Sequence, residues 1–247
     1  MCEMRLLVSV ATIEDAAAAV AGGADIIDAK DPTAGALGAV SLVMFGQIRA
    51  SVAGLRPVSA ALGDATDEAT VERLVRDYAV AGASFVKIGF AGVSSRTRAG
   101  LLITAAMHGA ADHSGVVAVA YADADRAASL DARVILDAAA QAGAAGVLLD
   151  TADKHGPGLR ALMTPAAVAT WVAVAHDAGL RVALAGQLTL DDLDYVKNAG
   201  ADIAGVRGAA CEGGRRGRVA AARVSLLREA ARRSGPAPAP APVAACG

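Results

Sequence analysis

Asp25-Ile26-Ile27-Asp28-Ala29-Lys30-Asp31-Pro32 decides how the chain reads. Apolar residues sit between acids, and the run ends in a lysine and then a proline. A short apolar run bounded by turn signals is the pattern of a buried strand. Pro32 stops it, because proline gives no backbone donor to a ladder and pushes Asp31 toward extended geometry. A lysine therefore stands at the carboxyl end of a strand, opening into a Gly-rich loop from Thr33 to Gly38. Residues two apart in a strand face the same side, so Asp28 and Lys30 share one face. A second run, Ser84-Phe85-Val86-Lys87-Ile88-Gly89, also carries a lysine near its carboxyl end.

Working outward, strand and helix patterns alternate from end to end. The strands read as Arg5 to Val10, Ala24 to Lys30, Val58 to Leu62, Ser84 to Gly89, Val116 to Tyr121, Gly146 to Asp150, Arg181 to Ala185 and Asp202 to Val206. The helices between and after them read as Ile13 to Ala21, Val40 to Ala53, Asp67 to Ala81, Ser94 to Ala111, Ser129 to Ala142, Thr164 to Ala178, Thr189 to Ala199 and roughly Val219 to Arg233. Thr12 is an N-cap candidate, acids open the third helix, and Pro165 holds the favoured first position of the sixth. Helices repeatedly end in Ala-Gly, as at Ala81-Gly82 and Ala142-Gly143, and glycine is the usual left-handed residue past a helix. Eight strand-helix units predict an α/β fold, a (β/α)8 TIM barrel over residues 1–233. An open doubly wound sheet would want a Gly-x-Gly-x-x-Gly turn after the first strand, and none is present. Residues 234–247, rich in Pro and Ala, are expected to be a disordered tail without a role.

Composition narrows the function. A formal net charge of -2 over 247 residues leaves no basic footprint for nucleic acid. No apolar run of roughly 18 residues appears, and Glu3 and Arg5 sit where a signal peptide would be apolar, so a cytoplasmic protein off the membrane is expected. Cys2, Cys211 and Cys246 lack pairing or zinc spacing, and no cofactor or metal is called for. Of 23 basic residues only Lys30, Lys87, Lys154 and Lys197 are lysines. Arginine cannot lose its proton, so only those lysines can be amine nucleophiles or bases.

In a barrel the chemistry gathers at the carboxyl ends of the strands. Read in order, those ends supply Asp28 and Lys30, then Lys87, then Tyr121 and Asp123, then Asp150 followed by Lys154, then Gly186 and Gln187, and finally Gly205-Val206-Arg207-Gly208. An imine-forming lysine must be neutral, which a second ammonium and a water-poor mouth both favour. Lys30 and Lys87 stand on strands two places apart, so their amines are expected to meet. Asp28 and Asp150 are candidates to shuttle protons or hold a lysine charged. Lys154 is a candidate to neutralise a phosphate. Glycines after the seventh and eighth strands suit a phosphate, with Arg207 adding a charged fork. Gly213 to Arg218 either extends that site or is a solvated basic loop.

At these motifs the chain resembles the (5-formylfuran-3-yl)methyl phosphate synthase family. The resemblance is carried by Leu6 to Ser9, Gly22 to Pro32 with Gly35 to Ala39, Val86 to Gly89, Tyr121 to Ala124, Asp150 to Lys154, Ala183 to Gly186 and Gly205 to Cys211. It implies a barrel that condenses two glyceraldehyde 3-phosphate molecules into a phosphorylated furaldehyde, with loss of phosphate and water, in methanofuran-type cofactor biosynthesis. The family's imine-forming lysine falls on Lys30 and its proton-accepting lysine on Lys87. Its supporting acid and lysine positions fall on Asp28, Asp150 and Lys154. Two positions depart from its pattern: His155 stands where aspartate is expected, and Gln187 where serine is expected. Two other readings stand beside this one. One is a class I aldolase or isomerase barrel for another sugar phosphate. The other is a barrel that binds triose phosphate without catalysis. The partner is a small phosphorylated molecule in every case, and Ala-rich helices leave a homo-oligomer open.

Overall fold

The computed structural model describes residues 3–233. The expected tail lies outside the described residues. Eight parallel strands close in sequence order: β1 (Arg5–Val10), β2 (Ile26–Ala29), β3 (Val58–Asp64), β4 (Phe85–Gly89), β5 (Gly115–Tyr121), β6 (Gly146–Asp150), β7 (Arg181–Leu184) and β8 (Ile203–Val206). β8 returns to β1 with Arg5 opposite Ile203 and Val8 opposite Val206, so the barrel has no open edge. The fold is the (β/α)8 barrel that the alternation predicts.

The two-residue period of a strand sorts side chains into two layers. Leu6, Val8, Ile27, Ala29, Val86, Ile88, Val147 and Leu149 face outward and bury against the helices in the main core. The other parity faces the barrel axis, and there the chain places Ser9, Asp28, Ser59, Lys87 and Asp150, all buried. A smaller apolar cluster fills part of the interior, formed by Ala61, Val119, Tyr121 and Leu148 with Leu37. Leu37 comes from the loop after β2 and is only 1% exposed. Its carbonyl accepts the Gly63 N–H at 2.8 Å, which pins the loop over one half of the mouth.

The helices are α1 (Ile13–Ala21), α2 (Leu42–Val52), α3 (Glu68–Val80), α4 (Arg96–Ala110), α5 (Ala132–Ala142), α6 (Leu159–Leu162), α7 (Pro165–Asp177), α8 (Leu193–Asn198) and α9 (Ala221–Arg232). Side-chain oxygens of Thr12, Ser41, Asp67, Ser95, Asp131 and Thr164 accept N–H groups of the first turns they precede. Such a cap is worth about 1 kcal/mol. Pro165 opens α7 as expected. The Ala-Gly rule holds after α3, α5, α7 and α8 and fails at α1. Gly22 is right-handed (φ -77°), and Gly23 takes the positive φ of 86°. Gly22 answers to packing instead, because a Cβ there would stand 2.5 Å from Val224 Cβ and from the Ala221 carbonyl oxygen of α9.

Three loop features go beyond the alternation. The short α6 precedes α7. The expected helix from Thr189 divides into a 3-10 turn (Leu190–Asp192) and α8, with Asp192 and Thr189 forming a capping box. After β8, Cys211–Glu212 (β9) and Arg218–Val219 (β10) form a two-stranded antiparallel ribbon, so α9 starts at Ala221. Asp15 Oδ1 accepts the Val219 N–H at 2.9 Å, and the Ala220 N–H goes to Ala210. Those bonds draw into the ribbon the residues that propensity alone assigns to the helix. No helix among the described residues is long and apolar enough to cross a membrane.

Candidate active site

Asp28 sits inside the barrel, fully buried, on the axis-facing parity of β2. Its neighbours across the ladder are Ser9 on β1 and Ser59 on β3. Register-paired residues point the same way, so both hydroxyls meet the carboxylate. Ser9 Oγ donates to Oδ2 at 2.9 Å, and Ser59 Oγ donates to Oδ1 at 2.7 Å. Lys87 Nζ completes the set 2.5 Å from Oδ2. A buried carboxylate is tolerable only when paired and hydrogen-bonded, and Asp28 is both.

Lys30 follows β2 and shares the barrel mouth with Lys87. Both amines line one cavity of about 310 Å³. Lys30 is held more loosely than Lys87, its Nζ lying 3.8 Å from Asp150 Oδ2. Burial lowers the Lys30 pKa from 10.5 to about 7; the pull of Asp150 opposes this, and the ammoniums of Lys154 and Lys87 reinforce it. A substantial share of Lys30 is therefore an uncharged amine at neutral pH, which an imine-forming nucleophile requires.

Asp150 ends β6 and is itself buried. Burial pushes its carboxyl up, but Lys154, Lys30 and the Thr151 N–H outweigh that and hold it below the usual range. Lys154 Nζ donates to Asp150 Oδ1 at 2.6 Å and reaches the cavity. The loop carrying Lys154 is clasped from both sides. Asp123, after β5, accepts the N–H groups of Ala152 and Asp153 at 2.7 and 2.9 Å. Gln187, after β7, donates its side-chain amide to the Gly156 carbonyl at 3.0 Å. Tyr121, the other residue at the strand-five end, is turned away from the cavity lining. Its hydroxyl donates to Asp64 Oδ1 at 2.7 Å, and burial raises its pKa.

The β7 and β8 ends form the opposite wall, where Gly186, Gln187, Gly205, Arg207 and Gly208 all line the cavity. Gly186 and Gln187 both have positive φ, 103° and 58°, so the backbone here turns sharply past the mouth. The side chains on this wall are engaged by the protein itself. The Gln187 amide clasps the Lys154 loop. The Arg207 fork is engaged by the fold: Nη1 donates to Asp15 Oδ2 at 2.7 Å and to the Ser9 carbonyl at 2.9 Å, Nη2 to the Gly217 carbonyl at 2.9 Å, and Nε to the Arg215 carbonyl at 3.1 Å. What Arg207 offers the cavity is mainly charge.

The sequence reading thus puts nine of its ten candidates on the cavity wall: Lys30, Lys87, Lys154, Asp150, Gly186, Gln187, Gly205, Arg207 and Gly208. The tenth, Asp28, lies beneath it and is paired with Lys87. Ser9 and Ser59 were not singled out, and Arg215 entered only as part of the Gly213 to Arg218 loop. The two serines carry a signal, since each interrupts an otherwise apolar strand run. Arg215 lines the cavity and bonds the Pro32 and Gly35 carbonyls of the loop after Lys30. That strap crosses from one side of the mouth to the other, and local sequence does not reveal it. His155 is exposed and off the cavity lining.

Known proteins share this arrangement to different degrees. In fold, the chain is similar to phosphoribosyl anthranilate isomerase from Thermotoga maritima, with a TM-score of 0.65, 13% identity, and coverage of 92% of this chain and 98% of that one. It is likewise similar to a 3-hexulose-6-phosphate synthase, with a TM-score of 0.60, 22% identity, and coverage of 92% and 99%. These likenesses speak to the barrel alone. In sequence, the chain is 41% identical to (5-formylfuran-3-yl)methyl phosphate synthase of Methanopyrus kandleri over 92% of its own length and 97% of that protein. It is 38% identical to the synthase of that name from Methanocaldococcus jannaschii, over 92% and 99%. The family model described as 4-HFC-P synthase matches residues 6–228, from the first strand to the last helix. With a match running the length of the barrel and relatives at 38–41% identity over nearly all of it, the chain belongs to the 4-HFC-P synthase family of enzymes.

Proposed function

We propose that the chain is a Schiff-base-forming lyase that condenses two glyceraldehyde 3-phosphate molecules into (5-formylfuran-3-yl)methyl phosphate, in methanofuran-type cofactor biosynthesis. The observation that carries the reading is the contrast at the mouth: a Lys30 amine brought to a pKa of about 7, beside a Lys87 amine tied to a buried carboxylate. An aldolase-type step needs both states, one nitrogen to attack a carbonyl and another group to handle protons.

One triose phosphate, taken in its ketone form, meets Lys30. The amine adds to the carbonyl carbon, and water leaves to give the imine. The Lys87 ammonium, held charged beside Asp28, gives the proton that leaves with that water; the resulting neutral amine then takes the proton from the adjacent carbon, and the electron pair moves into an enamine. The enamine carbon bonds to the aldehyde carbon of the second triose. Hydrolysis of the imine frees Lys30, and ring closure with loss of one phosphoric acid and water yields the furan. Overall the atoms balance as two trioses minus one phosphoric acid and two waters. The backbone at Gly186, Gln187, Gly205 and Gly208 cradles the retained phosphate beside the charge of Arg207. Lys154, held ready by Asp150, neutralises the departing one.

The test is borohydride reduction in the presence of glyceraldehyde 3-phosphate, followed by peptide mapping and product analysis. The expected result is one reduced adduct, on Lys30, together with an ultraviolet-absorbing furan in unreduced reactions. An adduct on another lysine would overturn the assignment. A non-aromatic aldol as the product would indicate an ordinary aldolase, and tight binding without turnover would indicate a sensor.

A further inference from the structure

We infer that Ser59, seconded by Ser9, is a positioning residue that keeps Asp28 ionised and so keeps the shared proton on Lys87. The inference rests on the reading that Lys87 exchanges protons with bound substrate. Ser59 is 1% exposed and lies outside the wall of the catalytic cavity, so it has no substrate to touch. Its neighbours along β3 are Val58 and Ala60, and an alanine at 59 would suit the same apolar surroundings. A hydroxyl in such a place costs stability unless it is hydrogen-bonded, and the partner of this one is Asp28 Oδ1 at 2.7 Å.

The physical need follows from burial. A carboxylate and an ammonium in contact inside a barrel can shed both charges by passing one proton across. Hydroxyl donors bond the ionised carboxylate more strongly than the neutral acid and oppose that transfer. Ser59 serves one oxygen, while Ser9 and Lys87 serve the other. The surrounding charges do not supply this bias by themselves. Lys30 at the end of β2 is partly discharged by burial, Lys154 after β6 is paired with Asp150 on β6, and Arg207 from β8 is turned to Asp15 and the Ser9 carbonyl. The serines are the groups that distinguish the two positions of the proton.

The experiment compares wild type with Ser59→Ala, using infrared spectra of the carboxylic-acid C=O stretch and steady-state kinetics at matched pH. The expected result is a protonated-acid band in Ser59→Ala that is weaker in wild type and disappears in the Asp28→Asn, Ser59→Ala double variant. The kcat falls roughly tenfold, the size of one lost bond to a charged group, and KM is unchanged. Ser59→Thr, which keeps the hydroxyl, restores kcat. If Ser59→Ala melts before assay, Ser9→Ala reads the same carboxylate from its other oxygen. A folded variant with no new band and wild-type kcat would overturn the inference. Borohydride adducts on wild-type Lys30 keep the two ideas separable. No adduct sinks the imine reading, whereas a normal adduct with an unchanged spectrum in Ser59→Ala sinks only the role of the serines.

Discussion

Lys87 Nζ lies 2.5 Å from Asp28 Oδ2, and that contact sets Lys87 apart from the other amine of the barrel mouth. Lys30 has only a loose partner at 3.8 Å and is the amine that burial discharges. Two lysines at alternate strands of one barrel thus acquire distinct surroundings from their neighbours alone.

The pH profile should report Lys30. Attack requires the neutral amine, so the rate rises with pH through about 7, where burial has set that group. Lys154→Met removes an ammonium that depresses Lys30 and also leaves Asp150 to Lys30 alone. Both changes favour the charged form, so the limb moves to higher pH. An initial-rate profile of the variant measures the displacement, and a downward or absent shift contradicts the electrostatic account.

Stability should change in the opposite sense to activity in Lys30→Met. Between about 7 and 10.5 the unfolded chain binds the Lys30 proton and the folded chain does not, so wild type gains stability as pH rises through that window. Below it, the folded protein carries the full cost of that buried amine, with an upper bound of about 5 kcal/mol. Lys30→Met should therefore melt higher than wild type at pH 6, and the gap should close near pH 10. Turnover should be lost at both. Melting curves at the two pH values decide the matter.

Asp28→Asn leaves the Lys87 ammonium buried without a counter-ion. Removing one partner of such a pair costs about 3–5 kcal/mol. Turnover should fall about 10²–10⁴-fold, as when a proton-transfer group is lost. Chemical denaturation and kcat measure the two effects, and near-normal values for both would remove the pair from the mechanism.

Arg207 offers a sharper division between fold and binding. Its bonds to Asp15, Ser9, Gly217 and Arg215 tie β8 to β1, α1 and the β9–β10 loop. Arg207→Gln should lower stability by about 3–5 kcal/mol by stranding Asp15. Adding Asp15→Asn should recover part of it, as a double-mutant cycle would show. An unchanged melting temperature with a large rise in KM would instead assign Arg207 to the phosphate.

Much of this was legible before any coordinates. Proline after Lys30, alternation by two in β2 and the scarcity of lysine point to the two amines that share the cavity, because strand parity and proton chemistry are local properties. The two-stranded ribbon after β8 was hidden, since Val219 is drawn from helix to strand by Asp15 on α1, far away in sequence. Arg207 reads as an anion fork for the same reason: its true partners come from β1, α1 and the ribbon loop. Ser59 was overlooked because a lone serine in a strand gains meaning only once register sets it beside Asp28.

The Leu37 plug has a kinetic consequence. With Leu37 seated beside Tyr121 and Arg215 strapping its loop, the quadrant above β3 to β5 is roofed. The catalytic hollow is walled by residues of β1 and of β6 through β8, with Lys30 and Lys87 reaching in. On the proposed reaction, both trioses, the freed phosphate and the furan would pass through one doorway. Traffic through a single doorway favours an obligatory queue, in which the first sugar is anchored on nitrogen before the second arrives.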